Sequence, residues 1–145
     1  PEIISSGRRI NDAMGKFVAR KMLKEISASC GKQALSVNIL GLTFKENCPD
    51  LRNTRVVDII GELEKYSANV DVYDPWVDPE EAHEEYGIKP IAKPELGNYD
   101  AIIIAVGHKQ FLELGATQIR DFGKDKHVLF DVKGLFPRDL VDARL

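Results

Sequence analysis

Membrane-spanning segments are missing from this chain: no apolar run approaches the roughly 20 residues that a bilayer requires, and no charged-then-apolar leader opens it. Basic stretches interleaved with aromatics are missing as well, and a formal net charge of −3 at pH 7 offers nucleic acid little to hold. These absences exclude membrane-embedded and nucleic-acid-binding classes, and a soluble, cytoplasmic protein is expected. Cysteine is scarce. Cys30 and Cys48 are the two present, and 145 residues with 43% hydrophobic content can bury a core without a bridge, so both are read as free thiols. Cys48 sits beside Pro49 in a polar stretch, yet no histidine dyad surrounds it and it is not assigned as a nucleophile. Residues 1–6 have neither a start methionine nor a capping box, which suggests a piece cut from something longer.

What is present centres on residues 35–55. The apolar, β-branched run from about Ser36 to Leu40 is suited to a strand buried on both faces of a parallel sheet. A polar loop follows, and then Val56, Val57, Ile59, Ile60 and Leu63 recur at helical spacing behind Thr54, a good N-cap, predicting a helix to about Tyr66. A strand, loop and helix N-terminus together make a place for an anion at the carboxyl edge of a sheet. Phe44, Lys45 and Arg52 lie on that loop: one ring and two cations. The loop lacks the second glycine of the dinucleotide fingerprint, because Gly41 is followed by Leu42, Thr43, Phe44 and Lys45. Without it a backbone cannot approach a pyrophosphate closely, and side-chain charge has to serve instead.

Upstream, Ile10, Met14, Phe17, Val18, Met22 and Ile26 share one helical stripe, predicting an amphipathic helix that ends near Ser29 to Gly31. Its other side is basic, with Arg8, Arg9, Lys16, Arg20, Lys21 and Lys24 against Glu2, Asp12 and Glu25, and is read as a solvated face or as a helix spanning to a partner. Downstream, a second strand from Val70 to Tyr73 ends in Asp74 and Pro75; Asp74 suits either a ribose hydroxyl or a turn. Asp78-Pro79-Glu80-Glu81 starts a short helix that Gly87 stops. Ile88 to Ile91 reads as a weak edge strand broken by Pro90, Pro94 to Asn98 as one helical turn, and Asp100 to Val106 as the most strongly buried strand. His108 and Lys109 follow it at a carboxyl end, facing a ligand or hydrogen-bonded in a turn. Phe111 to Phe122 carries one or two short helices, and a last strand, His127 to Phe130, runs into Asp131 and Lys133. The alternation predicts an α/β, Rossmann-like three-layer domain with a mostly parallel five-stranded sheet, most simply in order 3-2-1-4-5, behind a long amphipathic helix.

The loop Gly41-Leu-Thr-Phe44-Lys45-Glu-Asn-Cys-Pro-Asp50-Leu-Arg52-Asn-Thr54 resembles the one that opens the C-terminal, UDP-binding domain of the UDP-glucose/GDP-mannose dehydrogenase family, approximately G-x-x-F-K-x-x-x-x-D-x-R-x-[ST]. Val-Tyr-Asp74-Pro75, Phe-Asp131-Val-Lys133 and Gly-Arg8-Arg9-Ile-Asn11-Asp12 extend the similarity over essentially the whole chain. The resemblance implies oxidation of a nucleotide sugar at C6, from alcohol to carboxylate, with NAD as acceptor and surface polysaccharide as destination. It implies residues 1–31 as the end of a central linker and homodimerisation helix, and 32–145 as the UDP-sugar-binding domain. Phe44, Lys45 and Lys133 match substrate-binding positions, and Arg52 one that reaches toward NAD. Lys133 departs from the family's arginine, exchanging a bidentate fork for a point charge, which resembles the subgroup acting on UDP-N-acetylhexosamines. The family's catalytic cysteine segment and its NAD fingerprint have no counterpart here, so no catalytic residue and no metal site are assigned. NAD is expected to be held mainly by a separate domain, and these residues alone to bind but not turn over. Two other readings stay open: a stand-alone Rossmann-like module for an anion such as coenzyme A, and a structural dimerisation domain. Among the site residues Lys45 is expected to matter most, through a charge-assisted bond of about 1.5–3 kcal/mol, Lys133 less and His108 least.

Overall fold

The computed structural model describes residues 35–52 and 54–144, together with Phe17, Arg20, Lys21 and Lys24, which are helical. Five strands form one sheet: β1 (Ser36–Leu40), β2 (Asn69–Tyr73), β3 (Tyr99–Ile104), β4 (Gly123–Asp131) and β5 (Ala143–Arg144). Their order is β2-β1-β3-β4-β5 and every pairing is parallel. Three helices connect them: α1 (Val56–Lys65), α2 (Pro79–Tyr86) and α3 (Lys109–Arg120).

Strand side chains alternate between two dry layers. Val37, Ile39, Ala101, Ile103, Val128 and Phe130 meet Val56, Ile59, Ile60 and Leu63 of α1 on one face. Leu40, Ile102, Ile104 and Leu129 meet Phe111, Ala116 and Ile119 of α3, with Phe122 and Phe136, on the other. Two-sided burial is why these strands read as continuous apolar runs. At about 1.5–3 kcal/mol for each fully buried aliphatic side chain, the four α1 anchors outweigh any local propensity in holding the helix.

The structure corrects several expectations. The fifth strand is not Ile88–Ile91 beyond β2. Pro90 has no N–H to give, and among the described residues the segment offers the β2 edge one ladder-like bond, Ile91 N–H to Val72 O at 2.8 Å. The fifth strand lies at the opposite edge, where two residues pair with Phe130 and Asp131, so the order 3-2-1-4-5 does not hold. Residues 94–98 form no helical turn: Gly97 is left-handed (φ 64°), and the Gly97 and Asn98 amides donate to Asp121 and Phe122 carbonyls instead. α1 starts at Val56 with Arg55 as its N-cap; the Thr54 hydroxyl accepts from Val56 N–H at 3.2 Å but gives its proton to Leu42 O at 2.6 Å, which ties it to the strand end. β4 begins earlier than predicted and takes up the extra length in a register shift between Tyr99 and Ala101. α3 contains two helical pieces meeting at Gly115 (φ 80°), and α2 has the predicted Asp78 cap and Gly87 stop.

Of the upstream stripe, Phe17 is 53% exposed, while Ile10, Met14, Val18, Met22 and Ile26 lie outside the described residues. The basic side is not simply solvated. Arg20 Nε sits 3.4 Å from Glu62 of α1, and Lys21 Nζ donates to Arg144 O at 3.3 Å. No helix among the described residues is long and apolar enough to cross a membrane.

Gly41, at φ 104°, leaves β1 where an added Cβ would lie 2.6 Å from Val106 Cβ. Both the dihedral and the space therefore demand glycine. Gly41→Ala is expected to cost about 2–4 kcal/mol of unfolding free energy. Gly61→Ala in α1, with nothing within 4 Å of the new carbon, should gain about 0.5–1 kcal/mol. Urea melts of the two variants check the contrast, and equal midpoints would contradict it.

Candidate functional site

Three loops meet at the carboxyl edge of the sheet. The first, residues 41–55, leaves β1; the second, 105–108, leaves β3; the third, 132–137, leaves β4. Gly41 packs on Val106, and Gly107 packs beside Leu135 and Lys133, so the second loop lies between the other two. The long first loop folds back on itself through Phe44 N–H to Asp50 O, 2.8 Å, and is anchored by buried Leu51, whose carbonyl accepts from Tyr86 hydroxyl at 2.6 Å. Its tip presents Phe44, 52% exposed, with Lys45 exposed beside it. Lys133 is exposed on the third loop. The predicted substrate-binding residues thus stand at one sheet edge, on the first and third loops with the second between them.

Arg52 is differently placed. Its guanidinium is 85% exposed and bonds Asp50 through Nε (3.1 Å) and Nη2 (3.2 Å), a bidentate pair within the loop. The side-chain hydrogen bond from Arg52 holds the Asp50 carboxyl below its ordinary value, and the same bond raises Arg52. Cys48 is a free, half-buried thiol, and Cys30 lies outside the described residues.

Asp74 and His108 take the structural side of the alternatives open to them. Asp74 is buried and accepts from Leu42 N–H (2.6 Å) and Thr43 N–H (3.0 Å) on Oδ2 and from Trp76 N–H (2.7 Å) on Oδ1. Its Oδ2 also lies 2.9 Å from His108 Nε2. Burial is the largest single influence on this carboxyl and would raise it, but His108 and the Leu42 and Trp76 amides together outweigh burial and hold it below its usual range. His108 is wholly buried, with Nδ1 accepting from Asn47 N–H at 2.9 Å, Thr43 Oγ1 3.2 Å from Nε2, and its ring 5.5 Å from that of Phe111. Its neighbour Lys109 instead has its ammonium 5.8 Å from the Trp76 ring, and Trp76 Nε1 donates to Gln110 Oε1 at 2.9 Å.

Nothing in the chain pattern pointed to Asn47. It is left-handed (φ 55°), and its Oδ1 accepts from Lys109 N–H at 2.8 Å. Asparagine tolerates that conformation better than most residues, which is the one signal available in advance. Nor does the loop suit a nicotinamide dinucleotide. Gly41 is its sole glycine, and the space above Gly41 is filled by Val106, so no backbone cradle for a pyrophosphate opens there.

Residues 38–138 match the family model described as UDP-glucose/GDP-mannose dehydrogenase family, UDP binding domain. The chain is 54% identical over 146 residues to the UDP-N-acetyl-D-glucosamine 6-dehydrogenase of Salmonella typhi and 51% identical over 146 residues to that of Pseudomonas aeruginosa. Both alignments cover 100% of this chain but only 34% and 35% of those proteins, so the chain spans about a third of the length of the curated relatives it matches. Among solved structures, the NDP-N-acetyl-D-galactosaminuronic acid dehydrogenase of Methanosarcina mazei Go1 superimposes with a TM-score of 0.77 at 25% identity, over 91% of this chain and 28% of that one.

Asp74 sets the acid limit of this edge. Its folded-state pKa is depressed, so its contribution is fully present above the ordinary value of 3.8 and is lost as pH falls through the folded value. Unfolding free energy of the wild-type chain should therefore drop below about pH 4, and less steeply in Asp74→Asn. Asp142, also depressed against burial by Arg120 and Leu129 N–H, titrates in the same window, which makes the difference between the two chains the informative quantity. Asp74→Ala strands buried donors and should cost about 3–5 kcal/mol at pH 7. Denaturant melts across pH 2.5–7 measure all three; parallel curves for wild type and Asp74→Asn would refute the assignment.

Proposed function

The chain belongs to the UDP-glucose/GDP-mannose dehydrogenase family as its UDP-binding domain, and from that premise we propose that it is the nucleotide-holding part of an NAD-dependent UDP-N-acetylhexosamine 6-dehydrogenase. In this reading the parent protein oxidises the C6 alcohol of the sugar to the uronic acid, in the cytoplasm, for surface polysaccharide synthesis. The observation that carries it is the first loop: an exposed ring and an exposed ammonium on consecutive residues, on a backbone fixed at both root and tip.

The proposed division of labour follows from the chemistry of each group. Phe44 offers a face of its ring to the uracil, where stacking is worth about 1–3 kcal/mol when water is excluded. Lys45 places its charge on the pyrophosphate, and Lys133 approaches from the third loop as a point charge. Arg52, held in one direction by Asp50, is proposed to reach toward NAD bound by parts of the parent protein beyond these residues. Residues 1–31 are proposed as the end of a linker helix that pairs two protomers, and the 53% exposure of Phe17 supports an apolar face in need of cover. Residues 32–145 form the binding domain in this scheme. Neither Cys30 nor Cys48 lies in the sequence context of the family's catalytic cysteine, so binding without turnover is the expected behaviour.

The exposure of Lys45 lowers the effect expected of it in this chain, because an ion pair open to water is screened. Titration calorimetry should give weak binding of UDP and UDP-N-acetylglucosamine, with Lys45→Ala weakening it roughly threefold to tenfold and Lys133→Ala less. GDP and coenzyme A serve as competitors. Preference for coenzyme A, or a Lys45→Ala chain that binds UDP as the wild type does, would overturn the reading. Sedimentation tests the pairing of residues 1–31 separately: a strict monomer at high concentration would remove the homodimer from the proposal.

A further inference from the structure

Among the described residues, no hydrogen bond or ion pair holds the side chain of Phe44 or of Lys45, so their placement is decided by the backbone of residues 43–47. That backbone turns through Asn47 at φ 55°, a left-handed conformation that asparagine tolerates better than most residues and that its neighbours hold in place. Both enforcing contacts come from the start of α3. Lys109 N–H donates to Asn47 Oδ1 at 2.8 Å, and Asn47 N–H donates to His108 Nδ1 at 2.9 Å.

The His108 ring is itself fixed from its far side. Nδ1 accepts a proton from the Asn47 amide, so in this geometry the ring's own proton resides on Nε2 and is given to Asp74 Oδ2, 2.9 Å away. The same carboxylate oxygen collects Leu42 and Thr43 N–H at the root of the loop. Thr43 Oγ1, 3.2 Å from Nε2, donates to Lys45 O at 3.1 Å. One dry ring therefore joins the root of the loop to its tip, across the two residues that face solvent. Few side chains offer an acceptor and a donor on opposite sides of a rigid body. Asparagine can reproduce the acceptor in the place of Nδ1, and glutamine the donor in the place of Nε2, but neither does both.

We propose that His108 is a positioning residue for the nucleotide: by accepting the Asn47 amide on Nδ1 while Asp74 holds Nε2, it sets Phe44 and Lys45 in their binding places without touching the ligand. This rests on the proposed function of the loop. It gives His108 a weight that the sequence withheld, where it ranked last among the site residues.

His108→Asn and His108→Gln separate this role from one of packing. With UDP-N-acetylglucosamine as the probe, His108→Gln, which loses the acceptor, should weaken binding about tenfold and speed exchange of the Asn47 amide, read by NMR. His108→Asn, which keeps the acceptor, should stay within about threefold of wild type. Equal affinities for the two variants would overturn the proposal, as would unchanged Asn47 exchange in His108→Gln. Should either variant fail to fold, the wild-type chain supplies the test through its histidine nitrogen resonances: Nε2–H with bare Nδ1 at His108 is required, and the opposite tautomer refutes it. A wild-type chain that binds no UDP-N-acetylglucosamine would overturn the proposed function and the nucleotide role of His108 with it, whereas the wrong tautomer in a chain that binds would overturn this inference alone.

Discussion

A single buried carboxylate, that of Asp74, organises the carboxyl edge of this sheet. Its two oxygens collect three backbone amides and one imidazole nitrogen, so the ends of β1, β2 and β3 are joined through one charged group. A buried carboxylate is tolerated only when such donors replace its water, and here they do more than replace it, because the group stays ionised more readily than in solution. The energetic consequence is asymmetric. A complete set of donors gives modest net stability, whereas removal of the acceptor leaves several buried N–H groups with nowhere to go. The first loop is therefore held by a polar knot as well as by Leu42 and Leu51 in the apolar core.

How much of this was legible beforehand depends on which force fixes each part. The buried strands and α1 were plain, because two-sided apolar burial writes continuous runs and helical spacing into the chain, as in Ile102 to Ile104 and Val56 to Leu63. The edges were not. Ile88 to Ile91 has strand-like composition, but Pro90 withholds the ladder donor, while Ala143 and Arg144 form a strand only because Phe130 and Asp131 offer an edge. Edge pairing is decided by what lies alongside, which two residues cannot encode. In the site, the resemblance of their motifs singled out Phe44, Lys45 and Lys133 as candidates, and the structure places them on the first and third loops of one sheet edge. The polar contacts that hold them were hidden, since Asp74 to Leu42 and Asn47 to His108 are separated by 32 and 61 residues.

A second polar clasp closes the other end of the sheet. Arg120, at the end of α3, donates to Leu140 O and to Asp142, and Asp142 in turn takes Leu129 N–H at 2.7 Å. His127 Nε2 accepts from the same guanidinium at 3.1 Å while Nδ1 donates to Lys124 O at 2.7 Å. This clasp explains how a strand as short as β5 survives: the segment leading into it is held by charge-assisted bonds to α3 and β4, which supply what two ladder positions cannot. Separately, Arg20 sits beside Glu62 of α1 and Lys21 donates to Arg144 O of β5, so the upstream helical residues touch both α1 and the β5 edge.

The distribution of dry and wet groups decides what this edge can do alone. Most of what orients the first loop is buried, namely Asp74, His108, Thr43 and Leu51, while the Lys109 N–H to Asn47 Oδ1 bond at its tip is exposed. What faces outward, Phe44, Lys45 and Lys133, is exposed. The ordering entropy of the backbone has thus been spent in folding, and a ligand need not order it again. Yet a ring and two ammonium groups on an open surface act in water, where stacking and ion pairing return little of their intrinsic strength. The same groups gain several-fold when a second surface covers the ligand and removes the solvent, since the Coulomb energy rises as the effective dielectric falls. Under the proposed function, the loop is held rigidly where it meets its own domain, and Phe44, Lys45 and Lys133 would gain most of their strength only once a nucleotide bound there is shielded from solvent.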